Sequence, residues 1–143
     1  MDLNQLTKEY FEATDDKREK IRNSFDEKTS WELLLKSEDL AVQAVRQNDY
    51  DLVKKGLILQ SIENSRTDYR DNLIRVSLLY NSARKLNQDP DNLFREIASI
   101  SDTEIKELLL DFLKRKEKDK SISVMGYKEI SDPEFNYKST MFS

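Results

Sequence analysis

Apolar side chains recur at the spacing of an α-helix from Leu3 to about Lys116, and no other feature constrains the fold as strongly. Leu3, Leu6 and Tyr10 illustrate the pattern, because residues three or seven apart lie on one helix face. The apolar stripe of 69–86 extends well beyond half of the circumference, so we expect that helix at the centre of the molecule. The pattern predicts an all-α fold, a single compact bundle of six to eight helices, with an α-solenoid-like arrangement as the alternative.

One domain is expected over residues 1–143. Within it, residues 1–28 are predicted to form lightly packed N-terminal helices and residues 29–118 the helical core. Residues 121–143 have little helical period and contain Gly126 and Pro133. They are predicted to form a short non-helical tail, either extended or a β-hairpin laid over the bundle.

Three helix starts are predicted from the residue types that cap helices. They are Ser30 as an N-cap, Asp89 as an N-cap followed by Pro90, and Ser101-x-x-Glu104 as a capping box. Whether residues 31–46 form one helix or two is left open.

Three residues within the helical pattern are expected to have packing roles. Trp31 is predicted to be a core anchor, and Tyr80 to be buried with a hydrogen-bond partner for its hydroxyl. A glycine inside a helix costs about 1 kcal/mol relative to alanine. Gly56 therefore suggests a close approach of two helices.

Composition argues against most enzyme and cofactor sites. The chain has no histidine, no cysteine and only two glycines. Histidine and cysteine most readily supply proton transfer, nucleophilic attack and transition-metal ligation near neutral pH. Glycine-rich turns are what allow a backbone to surround phosphate groups. We expect no catalytic residues, no cofactor and no metal ligands.

The charge balance also limits the class of partner. There are 24 basic and 28 acidic residues, which give a formal charge of -4. A mildly acidic protein is not generally attracted to nucleic acid or anionic lipid. No basic stretch precedes an apolar run near residue 1, and no apolar segment approaches the length of a membrane span. A cytoplasmic location is the expectation.

Carboxylates are the one abundant group that could support catalysis. The nearest acidic pairs are Asp15 with Asp16, and Glu107 with Asp111. Glu107 and Asp111 lie on the helix face away from the apolar stripe, and no calcium-binding loop pattern occurs. Solvated surface is the favoured interpretation, and a carboxylate-based metal-dependent hydrolase is the weaker alternative.

Two segments are candidates for partner binding. Asp68, Arg70, Asp71 and Arg75 form a dense charged group at the start of the central helix, where Asp71 and Arg75 have the spacing of a surface ion pair. Surface pairing explains this group adequately, and the functional alternative is a charged ridge that contacts a partner. In the tail, an exposed aromatic patch is the alternative to covering the bundle, and its residues would be Tyr127, Phe135 and Tyr137.

A basic segment, residues 114–120, contains five cations and two anions. No aromatic residues alternate with its lysines to stack on bases, so a solvated helix end is favoured over a nucleic-acid contact.

Together these observations predict a non-enzymatic protein-binding or regulatory module that acts through a charged helical surface. One version is a small acidic bacterial protein that neutralises a partner, as toxin-immunity proteins do, and an adaptor is another. The alternative is a nucleic-acid-associated regulator that uses residues 114–120. The expected partner is another protein, with nucleic acid and membrane disfavoured and homo-oligomer formation left open.

Overall fold

The computed structural model describes residues 2–62 and 69–116 of the chain. Of residues 69 and 70 it describes the backbone alone. The described residues form seven helices and no strand, which confirms the predicted all-α fold. The helices are α1 (Leu3–Glu12), α2 (Asp15–Asn23), α3 (Glu27–Gln47), α4 (Asp51–Ile62), α5 (Tyr69–Lys85), α6 (Asp91–Ser99) and α7 (Thr103–Arg115). The predicted tail, residues 121–143, lies outside the described residues.

The helices pack as a bundle around α4 and α5. Helix α4 contacts α1, α2, α3, α5 and α6, and α5 contacts α3, α4 and α7. In a solenoid each repeat contacts only its neighbours, so this packing is that of a bundle. The core lies where these helices meet and includes Tyr10, Leu57, Val76, Phe94 and Phe112.

Helix α5 occupies the central position that its wide apolar stripe predicts. It buries Leu73, Val76, Tyr80 and Ala83, together with Leu78 and Leu79 on the adjoining face. None of the helices in the described part of the chain combines the length and the apolarity that a membrane crossing needs.

Residues 31–46, for which the sequence left one helix or two open, form one continuous helix within α3. The prediction that Ser30 is its N-cap is wrong. The helix begins four residues earlier, where the Asp26 side chain accepts a hydrogen bond from the Thr29 N–H, and Ser30 is buried inside the helix. It ends at Asn48, whose φ of 52° is the left-handed conformation that asparagine tolerates.

Gly56 permits α3 and α4 to approach closely, as its position predicts. A Cβ at residue 56 would lie 2.6 Å from Leu79 Cδ2 and 3.3 Å from the Ser37 carbonyl oxygen. The Ser37 hydroxyl also donates a hydrogen bond of 2.7 Å to the Gly56 carbonyl. The backbone of α4 therefore lies in contact with both α3 and α5.

The start of α6 follows the predicted signal with a shift of one residue. The helix begins at Asp91, and the Asp89 side chain accepts a hydrogen bond from the Asp91 N–H at 3.0 Å. The predicted capping box at residue 101 is wrong. Asp102 caps α7 by accepting from the Ile105 N–H, while the Ser101 hydroxyl donates to the Ile97 carbonyl.

Two arginines attach α2 to the rest of the bundle. The Arg18 guanidinium donates to the carbonyl oxygens of Tyr10 and Phe11 at 2.9 and 2.8 Å, at the C-terminal end of α1. Arg22 donates to the Tyr10 hydroxyl at 2.7 Å. These contacts supplement the apolar anchors of this polar helix.

Trp31 is not the core anchor that its residue type suggested. It is 39% exposed on the first turns of α3, while Leu33 and Leu34 on the same helix are buried. Residues 30, 33, 34 and 37 share the face of α3 that is packed against the bundle, and residue 31 lies outside that face.

Candidate functional site

Of the seven residues predicted to contact a partner, two have side chains in the described part of the structure, Asp71 and Arg75. The side chain of Arg70 is outside the described part of the structure, and Asp71 is half-buried in the first turn of α5. Four others lie outside the described residues: Asp68, Tyr127, Phe135 and Tyr137.

Arg75, the remaining member, is buried, and its predicted place on an exposed ridge is wrong. It is 1% exposed, and its Nε donates to Glu38 Oε1 at 2.8 Å. Glu38 is likewise 1% exposed. Because α3 covers this face of α5, the ion pair joins two helices within the core and is not accessible to a partner.

The described part of the basic segment is largely engaged in contacts within the molecule. Arg115 pairs with Asp111 at 3.5 Å. Lys116 is folded back, with its Nζ 3.5 Å from Asp91 Oδ2 and 5.2 Å from the centroid of the Tyr80 ring. Lys114 and Arg115 are both exposed to solvent, and residues 117–120 lie outside the described residues.

Carboxylates are dispersed over the described surface. Asp15 pairs with Arg18 at 3.0 Å, and Asp111 pairs with Arg115. Among residues 2–62 and 69–116, no three acidic side chains are grouped so that they could hold a metal ion.

One concave surface in the described part of the chain is a groove between α1 and α4, with a volume of about 380 Å³. Its apolar floor consists of Phe11, which is half-buried, and Ile58, which is buried. Charged and polar side chains form the two edges. Its lining residues are Asn4, Thr7, Lys8, Phe11, Glu12, Asp51, Lys54, Lys55 and Ile58.

The groove edges are ordered by contacts within and between the two helices. The Lys54 ammonium lies 4.0 Å from the centroid of the Phe11 ring, a cation–π contact that links α4 to α1. Lys55 pairs with Asp51 at 3.0 Å. The Thr7 hydroxyl donates to the Leu3 carbonyl at 2.9 Å. The groove therefore exists as a shaped surface with an apolar centre and polar edges.

Sequence reasoning missed this groove entirely. Lys8, Phe11 and Lys54 carry no motif, and α1 and α4 are separated by about forty residues of other helices. The sequence of α1 gives a partial indication of the groove. The half-buried Phe11 follows Tyr10 and widens the apolar stripe of this helix. Nothing in the sequence indicates which helix that extra surface faces.

A second polar cluster joins α5, α6 and the end of α7. The Tyr80 hydroxyl donates to Asp91 Oδ1 at 3.0 Å, which confirms that this buried tyrosine has a hydrogen-bond partner. Burial raises the pKa of Tyr80 above its ordinary value. Burial opposes the charge of Lys116, but the neighbouring Tyr80 hydroxyl and Asp91 carboxylate outweigh it and raise the pKa of Lys116. The cluster fixes the last turn of α7.

Stability is expected to fall at alkaline pH because of the buried tyrosines. Burial raises the pKa of both Tyr10 and Tyr80 above 10.0. A raised pKa means that the folded state holds the proton more tightly than the unfolded state. The corresponding stability is complete below about pH 10 and is lost as the pH rises through the folded pKa values. Urea unfolding between pH 8 and 11 measures this loss.

The double variant Tyr10→Phe with Tyr80→Phe is the matched test, since it removes both ionisable hydroxyls and keeps both rings. It is expected to be less stable than the wild type at pH 8 and to lose less stability between pH 8 and 11. If the double variant lost as much stability as the wild type between pH 8 and 11, the assignment of the alkaline loss to Tyr10 and Tyr80 would be contradicted.

No protein-family model, curated protein or solved structure matches this chain. The geometry of the fold and of the groove is therefore the basis on which function is argued.

Proposed function

We propose that this chain is a non-enzymatic protein-binding module that receives its partner in the groove between α1 and α4. The observation that supports the proposal is the form of the groove: an apolar floor of Phe11 and Ile58 between two charged edges. Binding surfaces commonly combine an apolar centre that excludes water with a polar rim. A groove between two helices also suits an extended or helical segment of another protein.

We propose further that this acidic chain acts in the cytoplasm as a regulator. Neutralisation of a toxin is one version of that role. Size and net charge favour that version, but the fold alone does not select it.

Site-specific photo-cross-linking from the groove tests the proposal. The full chain carries a benzophenone amino acid at position 8, on an exposed edge of the groove, or at position 106, which is exposed on α7. After irradiation in native lysate, position 8 is expected to give one predominant protein adduct, identified by mass spectrometry. Position 106 serves as the matched control.

The expected difference comes from proximity, because only position 8 lies beside a bound segment. Equal adducts from both positions, or no protein adduct from position 8 when the chain is in gentle native conditions, would contradict the proposal.

A further inference from the structure

Helix α2 contributes little to the apolar core of the bundle. Seven of its nine residues are charged, and Ile21 is its one apolar side chain. Ile21 is half-buried where it packs against the core, whereas α3, α4 and α5 each bury several large apolar side chains. Burial of apolar surface is the main term that offsets the entropy lost when a segment is ordered. The hold of α2 on the fold is therefore weaker than that of these three helices.

The attachment of α2 depends instead on two guanidinium groups that meet at Tyr10. Arg18 Nε donates to the Tyr10 carbonyl at 2.9 Å, and Arg18 Cζ lies 6.0 Å from the centroid of the Tyr10 ring. Arg22 Nη1 donates to the Tyr10 hydroxyl at 2.7 Å. The ion pair between Lys17 and Glu9, at 3.3 Å, is exposed and contributes little. Hydrogen bonds across Tyr10 are thus the chief link between α2 and the bundle.

The neighbouring helices keep their own contacts when this link is broken. Helix α1 packs directly on α4, and α3 packs on α4 and α5. Arg22 Nε lies 4.0 Å from Asp102 Oδ2, but the cap of α7 uses the other carboxylate oxygen, since Asp102 Oδ1 accepts from the Ile105 N–H. Detachment of α2 therefore leaves the cap of α7 and the main helix packing in place.

We propose that α2 is a strap, which opens and closes over Tyr10 as one cooperative unit while the other described helices stay folded. Short non-helical connections at residues 13–14 and 24–26 join it to α1 and α3. Phe25, in the second connection, packs against the core and marks where the anchored chain resumes. Opening uncovers the Tyr10 hydroxyl and the carbonyls of Tyr10 and Phe11, which the two arginines contact in the closed state.

The inference does not depend on the proposed function, because it concerns the attachment of α2 and not the groove. Segments with few buried apolar contacts open locally at a lower free energy than the whole fold. What distinguishes a strap from a frayed end is cooperativity, since all of its backbone hydrogen bonds break in the same event.

Native-state hydrogen exchange of the full chain, followed by NMR in low concentrations of urea, tests the inference. The amides of residues 18–23 are expected to share one protection factor, at least about a hundredfold below that of the α5 amides. Their dependence on urea is expected to be shallower, because local opening exposes less surface than global unfolding. Protection that decreases gradually along α2 would indicate fraying and overturn the inference. The same protection and urea slope in α2 and α5 would also overturn it.

A substitution in α5 separates local opening from global unfolding. Val76 has no exposed surface, and α5 packs on α3, α4 and α7. Val76→Ala removes buried methyl groups that remain packed when only α2 opens. Exchange in α5 is expected to become at least about fivefold faster, while exchange in α2 stays unchanged. Equal acceleration of the two helices would mean that α2 opens only with the whole fold, and would overturn the inference.

Arg18→Gln tests how the strap is held. It removes the guanidinium that donates to the Tyr10 and Phe11 carbonyls, and exchange in α2 is expected to become at least about tenfold faster. Lys20→Gln is the matched control, because it removes the same charge from an exposed position of the same helix. Its exchange is expected to stay within about twofold of the wild type. Equal effects of the two variants would contradict the assignment of the attachment to Arg18.

Discussion

Replacing Glu38 with alanine is expected to lower the free energy of unfolding by about 3–5 kcal/mol. Glu38 and Arg75 are both 1% exposed, and 2.8 Å separates Glu38 Oε1 from Arg75 Nε. Removing the carboxylate takes away the anion that lies against this buried guanidinium, which cannot lose its proton. Asn72 Oδ1, at 3.4 Å from Arg75 Nη1, is a neutral group and does not replace the lost charge.

Urea unfolding of the single variant and of a double variant measures this effect. Replacing both residues, Glu38→Leu with Arg75→Met, is expected to cost far less than Glu38→Ala, because no buried charge is then left behind. The surface variant Lys36→Ala, on the same helix, is the control for changes in α3 itself. A loss below about 1 kcal/mol for Glu38→Ala would contradict the assignment, since that is the range of an exposed ion pair.

The burial of Arg75 could not be read from hydropathy. Its spacing from Asp71 is that of an exposed helical ion pair, and the pairing with Glu38 joins residues 37 positions apart. A usable signal was present in the small residues instead. Ser37, Ala41 and Ala44 lie on one face of α3, and all three have no exposed surface. Such a row permits close helix packing, which buries polar neighbours as well as apolar ones.

The presence of the helices was predictable because the apolar periodicity that identifies a helix involves only residues that are close in the sequence. The central helix, the close approach at Gly56 and the start of α6 follow from residue types within a few positions. The caps at Ser30 and Ser101 were predicted wrongly for a related reason. In each case an aspartate nearby, Asp26 or Asp102, is an equally good cap, and tertiary packing selects between them.

The groove was beyond sequence reasoning for a different reason. Its two edges are solvent-exposed charged residues on helices that meet only through tertiary packing. Lys8 and Lys54 resemble the other surface lysines until the fold brings them to the same groove as Phe11. A sequence without motifs therefore reveals the core of this protein more readily than the groove.

Replacing Phe112 with alanine is expected to lower the free energy of unfolding by about 3–5 kcal/mol. Phe112 has no exposed surface, and its ring packs against Tyr80 and Phe94 with centroid separations of 5.2 and 5.7 Å. Truncation removes these aromatic contacts and leaves a cavity between α5, α6 and α7. Thermal and urea unfolding, both followed by circular dichroism, measure the loss.

Leu110→Ala is the matched control, because residue 110 lies two positions away on the same helix and is 36% exposed. Its cost is expected to stay below about 1 kcal/mol, as for most surface positions. Both changes replace a large apolar residue of α7 with alanine, so their difference isolates burial from any effect on the helix itself. Equal losses for the two variants would mean that the face of α7 assigned to the core is wrong. The Tyr80–Asp91–Lys116 cluster would then lose its support as well, since it depends on the same rotation of α7.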